Sequence, residues 1–239
     1  MMTKTYLEVF PQYEEIKGFF TYKGAAVDGS PYDNPALVKE LGLEGAMLVW
    51  PKQVHKNDIA VIREKTGASI RIPDTDGVVT DQKNVLLTTV HADCLPVFFY
   101  DLEHEAIGVV HAGWRGTNLG IAPKCVKVMG EEYGTRPEDV QVFIGPGICA
   151  DCFEVGPEVR DEFAVSWPFI DEYAVPKGEK YYIDLKGVNK RELTDIGVLP
   201  EHIEVTEHCT YHEPELFVSY RREGGTKMRL GAGLCIKEK

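Results

Sequence analysis

Short runs of β-branched and aromatic residues, separated by turn-forming and charged ones, recur through the middle of the chain. Those at 46–50 (AMLVW), 58–62 (DIAVI), 76–80 (DGVVT), 85–90 (VLLTTV), 95–100 (LPVFFY), 106–110 (AIGVV) and 140–145 (VQVFIG) predict strands, many apolar enough to be buried on both faces. Pro123 suits a first helical turn and Gly134 a stop, which predicts a helix over about 123–133. A second opens at Pro157 and runs over about 157–166, and a third falls near 187–196. The stretches YYIDL (181–185), HIEVTE (202–207), LFVSYRR (216–222) and LGAGLCI (230–236) predict further strands. No repeat, low-complexity segment or shift of composition marks a boundary, so residues 1–239 read as one domain. Closely spaced strands followed by strands with helices between them predict an α/β (α+β) fold, a mixed sheet covered by helices and not a doubly wound one.

Size and charge narrow the function classes. A chain of 239 residues can bury a sizeable core. Its net charge of −12 argues against a broad nucleic-acid or anionic-membrane surface, which needs clustered Lys and Arg. The N-terminal stretch lacks a basic-then-apolar leader, and no apolar run approaches the roughly 20 residues that span a bilayer, so a soluble, cytoplasmic protein is expected. Six cysteines without regular spacing predict thiols, not a disulfide framework.

Polar groups placed at the ends of buried strands cost free energy unless they are paired or bind something. His91, Asp93, Cys94 and His111 interrupt the runs LLTTVHADCLPVFFYD and IGVVHAGWRGT in this way, and His55 stands in PKQVHKND. A thiolate and two imidazoles make a donor set that Zn²⁺ binds, with a fourth position open for catalysis. His55, Cys94 and His111 are far apart in sequence, and buried Cys and His are more commonly packed and hydrogen-bonded, so spacing alone leaves the question open. In HAGWRG, Gly113 and Gly116 allow a tight turn and close approach to a ligand, while Arg115 offers a bidentate fork for phosphate or carboxylate; a Gly-rich turn with a surface ion pair is the equal alternative. Cys149 and Cys152 form a lone C-x-x-C pair, which reads as packed thiols ahead of redox or metal chemistry. His104, His202, His208 and His212 read as solvated or structural, with His208 the one whose nearness to a site is of interest.

The stretches QVH (53–55), DGVVT (76–80), ADCLP (92–96), HAGWRG (111–116), IGPGICADCFEVG (144–156) and FVSYRR (217–222) together resemble the laccase-domain family, also called multicopper polyphenol oxidase or purine nucleoside phosphorylase, over about residues 46–236. The resemblance implies a single-domain α-β-β-α sandwich and a metal site, usually zinc, made by His55, Cys94 and His111. It also implies a purine nucleoside pocket beside that metal, phosphorolysis of adenosine, inosine, guanosine or methylthioadenosine, and deamination of adenosine. For such chemistry Asp76 and Asp93 are the nearest proton-handling candidates, and Arg115, the amides of Gly113 to Gly116 and one of Arg221 and Arg222 are candidates to hold phosphate. His91 stands where the family pattern has a small hydroxyl residue and reads as a core histidine or a second base; Phe153 replaces a usual Tyr. Two alternatives remain. Two His and one Cys also suit copper and phenol oxidation, although seven histidines make a multicopper cluster hard to build. Cys94 with His111 also suits a cysteine hydrolase or editing factor acting on cell-wall precursors. Small-molecule nucleoside and phosphate are the expected partners, with no nucleic acid or membrane, and the acidic surface suits a monomer or homodimer.

Overall fold

The alternation of side chains along the central strands sorts them onto three separate cores. In the 95–101 strand, Val97 and Phe99 enter one core while Phe98 and Tyr100 enter another. In the 85–91 strand, Val85 and Leu87 point into the second core and Leu86 into a third. A strand with apolar residues on both faces must therefore lie between two layers.

The computed structural model describes residues 4–25, 27–28 and 35–238. In chain order the strands are β1 (Tyr6–Val9), β2 (Ile16–Thr21), β3 (Val27–Asp28), β4 (Met47–Pro51), β5 (Ile59–Ile62), β6 (Ile70–Ile72), β7 (Gly77–Thr80), β8 (Val85–His91), β9 (Leu95–Asp101), β10 (Ala106–Ala112), β11 (Val140–Ile144), β12 (Glu154–Val155), β13 (Ala174–Lys177), β14 (Lys180–Ile183), β15 (Ile203–Val205) and β16 (Met228–Ile236). The α-helices are α1 (Pro35–Leu41), α2 (Trp114–Asn118), α3 (Ile121–Tyr133), α4 (Pro157–Ser166) and α5 (Leu185–Asp195). One seven-stranded sheet has the order β1-β2-β16-β8-β4-β6, with β3 also on β16, and one six-stranded sheet has the order β15-β11-β9-β10-β7-β5. Both mix parallel and antiparallel pairs. A small third sheet runs β12-β14-β13.

The two large sheets face each other across a core that includes Phe20, Leu87, Phe98, Tyr100, Val109 and Leu234. The outer face of the six-stranded sheet is covered by α3, which buries Ile121, Ala122, Cys125, Val126 and Met129 as one helical stripe, together with Phe163 of α4 and Val188 of α5. Leu37 and Leu41 of α1 cover the other sheet against Phe19 and Leu86. The layers are thus helix, sheet, sheet, helix, in a single α/β domain with mixed sheets. No helix among the described residues is long and apolar enough to cross a membrane.

The predicted central strands and the three predicted helices are present, the helices within a few residues of their expected bounds. Residues 216–222 are the exception: they form neither strand nor helix. The Arg222 guanidinium reaches the carbonyls of Thr210, Tyr211 and Phe217, so a side chain satisfies acceptors that a sheet ladder would otherwise have to satisfy. The helices α1 and α2 and the strands β1, β2, β3, β6, β12 and β13 go beyond the sequence reading.

Candidate metal centre and cavity

Cys94 and His111 are brought together by strand register. In the antiparallel β9–β10 pair, His111 lies opposite Pro96 and Ala112 opposite Leu95. Continued by one step, that register sets Gly113 beside Cys94. A Cβ on Gly113 would sit 2.8 Å from the Cys94 sulfur and 3.5 Å from the His55 ring, so only glycine fits there. His55 comes from the loop between β4 and β5, where its backbone has φ 60°, and its ring centroid lies 4.8 Å from that of His111. The ligand atoms of His55, Cys94 and His111 all lie within 4.8 Å of one another. Two of these residues sit where the chain leaves the seven-stranded sheet for the six-stranded one: His55 between β4 and β5, and Cys94 between β8 and β9.

Asp76 holds the arrangement in place. Fully buried, it accepts the backbone N–H groups of Val54, His55 and Lys56 at 2.9–3.1 Å and Nδ1–H of His111 at 3.2 Å. This bond leaves Nε2 of His111 as the nitrogen available to a metal. The Gln53 carboxamide adds a second anchor to the same loop by exchanging two 2.8 Å hydrogen bonds with the Val90 backbone. Desolvation tends to raise the Asp76 carboxyl, but His111 and the amides of Lys56 and His55 outweigh it and hold it below its ordinary value.

Opposing effects also set the two ligands in the strands. Burial pushes the Cys94 thiol up, yet the charge and hydrogen bonds of His111 and His55 bring it down to about 6. Burial pushes His111 down, yet the Cys94 thiolate and Asp76 bring it up to about 9. A thiolate and imidazoles converging within a few ångströms form a donor set that fits a divalent soft-to-borderline cation such as zinc.

A cavity of about 960 Å³ opens beside this triad. His55, Cys94 and His111 line it together with Trp114, Phe153, Ile148, Leu185 and Tyr220, and with Lys52, Arg71, Arg221, Lys227 and Arg229. In a chain of net charge −12, five cations around one cavity are a local inversion of sign that favours an anionic ligand group.

The remaining candidates fall into different places. Asp93 lines the cavity with φ 88°, and its two oxygens accept from the Thr210 hydroxyl at 2.6 Å and the Arg221 N–H at 2.7 Å. Arg221 borders the cavity, while Arg222 is turned onto its carbonyl clamp. Arg115 does not line the cavity; its guanidinium stacks on the Trp114 ring at 4.2 Å. Gly113 and Gly116 are the points where the chain packs closely on itself, since a Cβ at Gly116 would meet the Lys56 carbonyl at 3.0 Å and neither glycine lines the cavity. His91 is buried between the Thr89 hydroxyl and the Cys94 carbonyl, 5.3 Å from the His111 ring, and burial with the charge of His111 holds it well below its ordinary value. It is a core histidine behind the triad. His208 pairs with Glu213 and does not reach the cavity.

A second group was missed. Cys149 and Cys152 lie with Cys209 and His212, their ligand atoms all within 4.8 Å of one another, a set that can hold a metal ion. The signal was present as a C-x-x-H pair at 209–212, the partner that the lone C-x-x-C pair lacked. Arg71, Lys227 and Arg229 carry no local motif, and only the fold collects them.

Residues 33–237 match the family model described as multi-copper polyphenol oxidoreductase laccase. Purine nucleoside phosphorylase YlmD of Bacillus subtilis (strain 168) is 36% identical over 198 residues, 80% of this chain and 71% of the relative. Adenosine deaminase RL5 of an unknown prokaryotic organism is 34% identical over 209 residues, 84% of this chain and 79% of the relative. Among solved structures, YlmD from Geobacillus stearothermophilus superposes with a TM-score of 0.85 at 28% identity, covering 100% of this chain and 98% of that one. The hypothetical protein YfiH of Bacillus licheniformis gives 0.88 at 27% identity, covering 99% and 98%. With most of its length matched in both sequence and fold, the chain belongs to the multi-copper polyphenol oxidoreductase laccase family.

Proposed function

We propose that the protein is a zinc-dependent purine nucleoside enzyme that splits nucleosides such as adenosine, inosine, guanosine or methylthioadenosine with phosphate and also deaminates adenosine. The observation that carries this reading is the His55–Cys94–His111 triad facing a cavity whose lining combines aromatic rings with five cations. The relatives named for phosphorolysis and deamination support it. A bound zinc ion supplies Lewis acidity and makes coordinated water acidic enough to act as a nucleophile near neutral pH. Trp114, Phe153 and Tyr220 offer faces on which a purine can stack, and Arg221 with Arg71, Arg229, Lys227 and Lys52 offsets the charge of phosphate. The two carboxylates divide their roles. Asp76 receives four donors on about four lone-pair sites and has no exposure, so it positions His55 and His111. Asp93 receives two donors and borders the cavity, so it keeps capacity to accept a proton. Zinc is favoured because two imidazoles and a thiolate with a fourth position open suit it, and no methionine, the usual axial ligand of a copper site of this type, lines the cavity among the described residues.

The test is to incubate zinc-loaded protein with adenosine and phosphate and to separate adenine, inosine and hypoxanthine. Adenine that depends on phosphate, inosine that does not, and loss of both in Cys94→Ser along with the metal held by the triad are the expected results. No product from metal-loaded protein would refute the reading. The Cys94 thiolate beside His111 favours one competitor, a cysteine hydrolase. Under that reading Cys94→Ser loses activity while metal content stays the same.

A further inference from the structure

We propose that Cys149, Cys152, Cys209 and His212 form a second, structural metal site, a closed Cys₃His zinc centre that ties the cavity wall together. It is separate from the His55–Cys94–His111 triad and requires no substrate. The four ligands come as two pairs, C-x-x-C at 149–152 and C-x-x-H at 209–212, the spacing that lets a tight turn present both members of a pair to one ion. Tetrahedral zinc with ordinary Zn–S and Zn–N bonds would set neighbouring ligand atoms about 3.6–3.8 Å apart. The Cys149 sulfur lies 3.8 Å from His212 Nδ1, the Cys152 sulfur lies 3.0 Å from its Nε2, and all four ligand atoms fall within 4.8 Å of one another. Small side-chain rotations bring one ring nitrogen and three sulfurs around a single point. The backbone N–H of Cys149 already donates to the Cys209 sulfur at 3.4 Å, a bond that favours a thiolate there.

The surroundings explain what such a centre would do. From Thr206 to Lys227 the chain has no helix or strand, a run longer than compact domains usually leave without support. Yet this run supplies Tyr220, Arg221 and Lys227 to the cavity and sends the Thr210 hydroxyl to Asp93. The 145–153 segment supplies Ile148 and Phe153, and Ile148 N–H donates to the Asp93 carbonyl at 2.8 Å. Apart from contacts among the four ligands themselves, the two segments meet through an isolated bridge of Gly147 with Cys209, the Thr210 N–H on the Gly147 carbonyl, and Arg221, which reaches the Cys152 and Glu154 carbonyls and lies over the Phe153 ring. A metal held by two ligands from each would join them. All four ligands have a closed set of donors, so no open position for substrate chemistry remains.

Cys94→Ser, which removes the triad's thiolate, isolates the second site. Purified after zinc exposure, this variant is expected to retain one zinc per chain. Substituted with cobalt, it should show the thiolate charge-transfer and tetrahedral ligand-field bands of a three-sulfur site. His212 is exposed, so its replacement leaves the core alone. In the Cys94→Ser background, His212→Ala is expected to weaken cobalt binding by about tenfold or more, and His212→Cys to restore it with a four-sulfur spectrum. Removing zinc with a chelator should open the 206–227 run to limited proteolysis. Folded Cys94→Ser without tightly bound metal, or a Cys149–Cys152 disulfide in protein purified under reducing conditions, would overturn the proposal. Because the readouts are metal content and spectrum, they stand whether or not the nucleoside assay succeeds.

Discussion

Replacing Asp76 with Asn tests how the triad is held. The carboxylate accepts from three consecutive backbone amides and from His111, and both its oxygens are used. The amide of Asn keeps one acceptor and turns a donor toward the other set. With its nitrogen at the Oδ2 position it faces the Lys56 N–H, donor against donor. With its nitrogen at the Oδ1 position it faces the His55 N–H and the Nδ1–H of His111. The second choice forces the imidazole into its other tautomer, with the proton on the metal-facing nitrogen. Either way at least one hydrogen bond to a buried charge becomes a repulsive pair, which costs about 1.5–3 kcal/mol of stability. Loss of the group that orients a metal-binding imidazole lowers metal affinity by about 10–100-fold. Denaturant unfolding at neutral pH measures the first effect, and competition with a chromophoric zinc chelator measures the second. The pH adds a sign check. Since the Asp76 carboxyl lies below its ordinary value in the folded protein, its contribution is complete above that value and disappears as the pH falls through the folded one, so wild type and variant converge in acid. An Asp76→Asn protein with unchanged zinc affinity and unchanged stability would refute this account of the site.

Gly113→Ala places a methyl group 2.8 Å from the Cys94 sulfur, and we expect zinc content and nucleoside turnover to fall together while circular dichroism shows the fold retained. Arg221→Met removes a cavity cation, so the KM for phosphate should rise by about tenfold while phosphate-independent deamination of adenosine changes little; equal losses in both would place Arg221 elsewhere. Glu192 is buried in α5, neither of its oxygens has a hydrogen-bond partner among the described residues, and burial with the charge of Asp195 raises its carboxyl well above the ordinary value. A raised carboxyl makes stability fall as pH rises past the unfolded-state value. Glu192→Gln should therefore be more stable than wild type by about 1–3 kcal/mol at pH 8, with the gap closing toward pH 4, measured by denaturant unfolding. Phe98→Ala empties a fully buried position between the two large sheets and should cost about 3–5 kcal/mol in the same assay.

The parts of the fold legible in the sequence are those where chemistry and periodicity agree. The strands β7 to β10 announce themselves because they are covered on both faces and so consist of nearly continuous apolar, β-branched and aromatic runs. Residues 216–222 carry the same composition, but there Phe217 and Val218 enter the core between the sheets from a loop, and the Arg222 guanidinium takes carbonyls that a neighbouring strand would otherwise satisfy. The triad ligands could be named from their positions at strand ends, while their convergence depends on β9–β10 register and on Asp76, which no local motif expresses. Arg115 was misleading for a related reason. A guanidinium next to two glycines suits an anion, but the glycines are spent on letting Cys94 and Lys56 approach, and Arg115 is left on the outer face of Trp114. The cavity cations Arg71, Lys227 and Arg229 come from separate segments and become a group only after folding.

Two of the three triad ligands lie on crossings between the large sheets, at His55 and at Cys94, and the third sits at the end of β10. Neither half of the sandwich owns a binding site. A metal at the triad would therefore load only when both halves have docked, and would then act as a latch on the finished assembly. Metal occupancy of the triad in a preparation would count correctly assembled molecules, and a destabilised variant would lose that metal before it loses secondary structure.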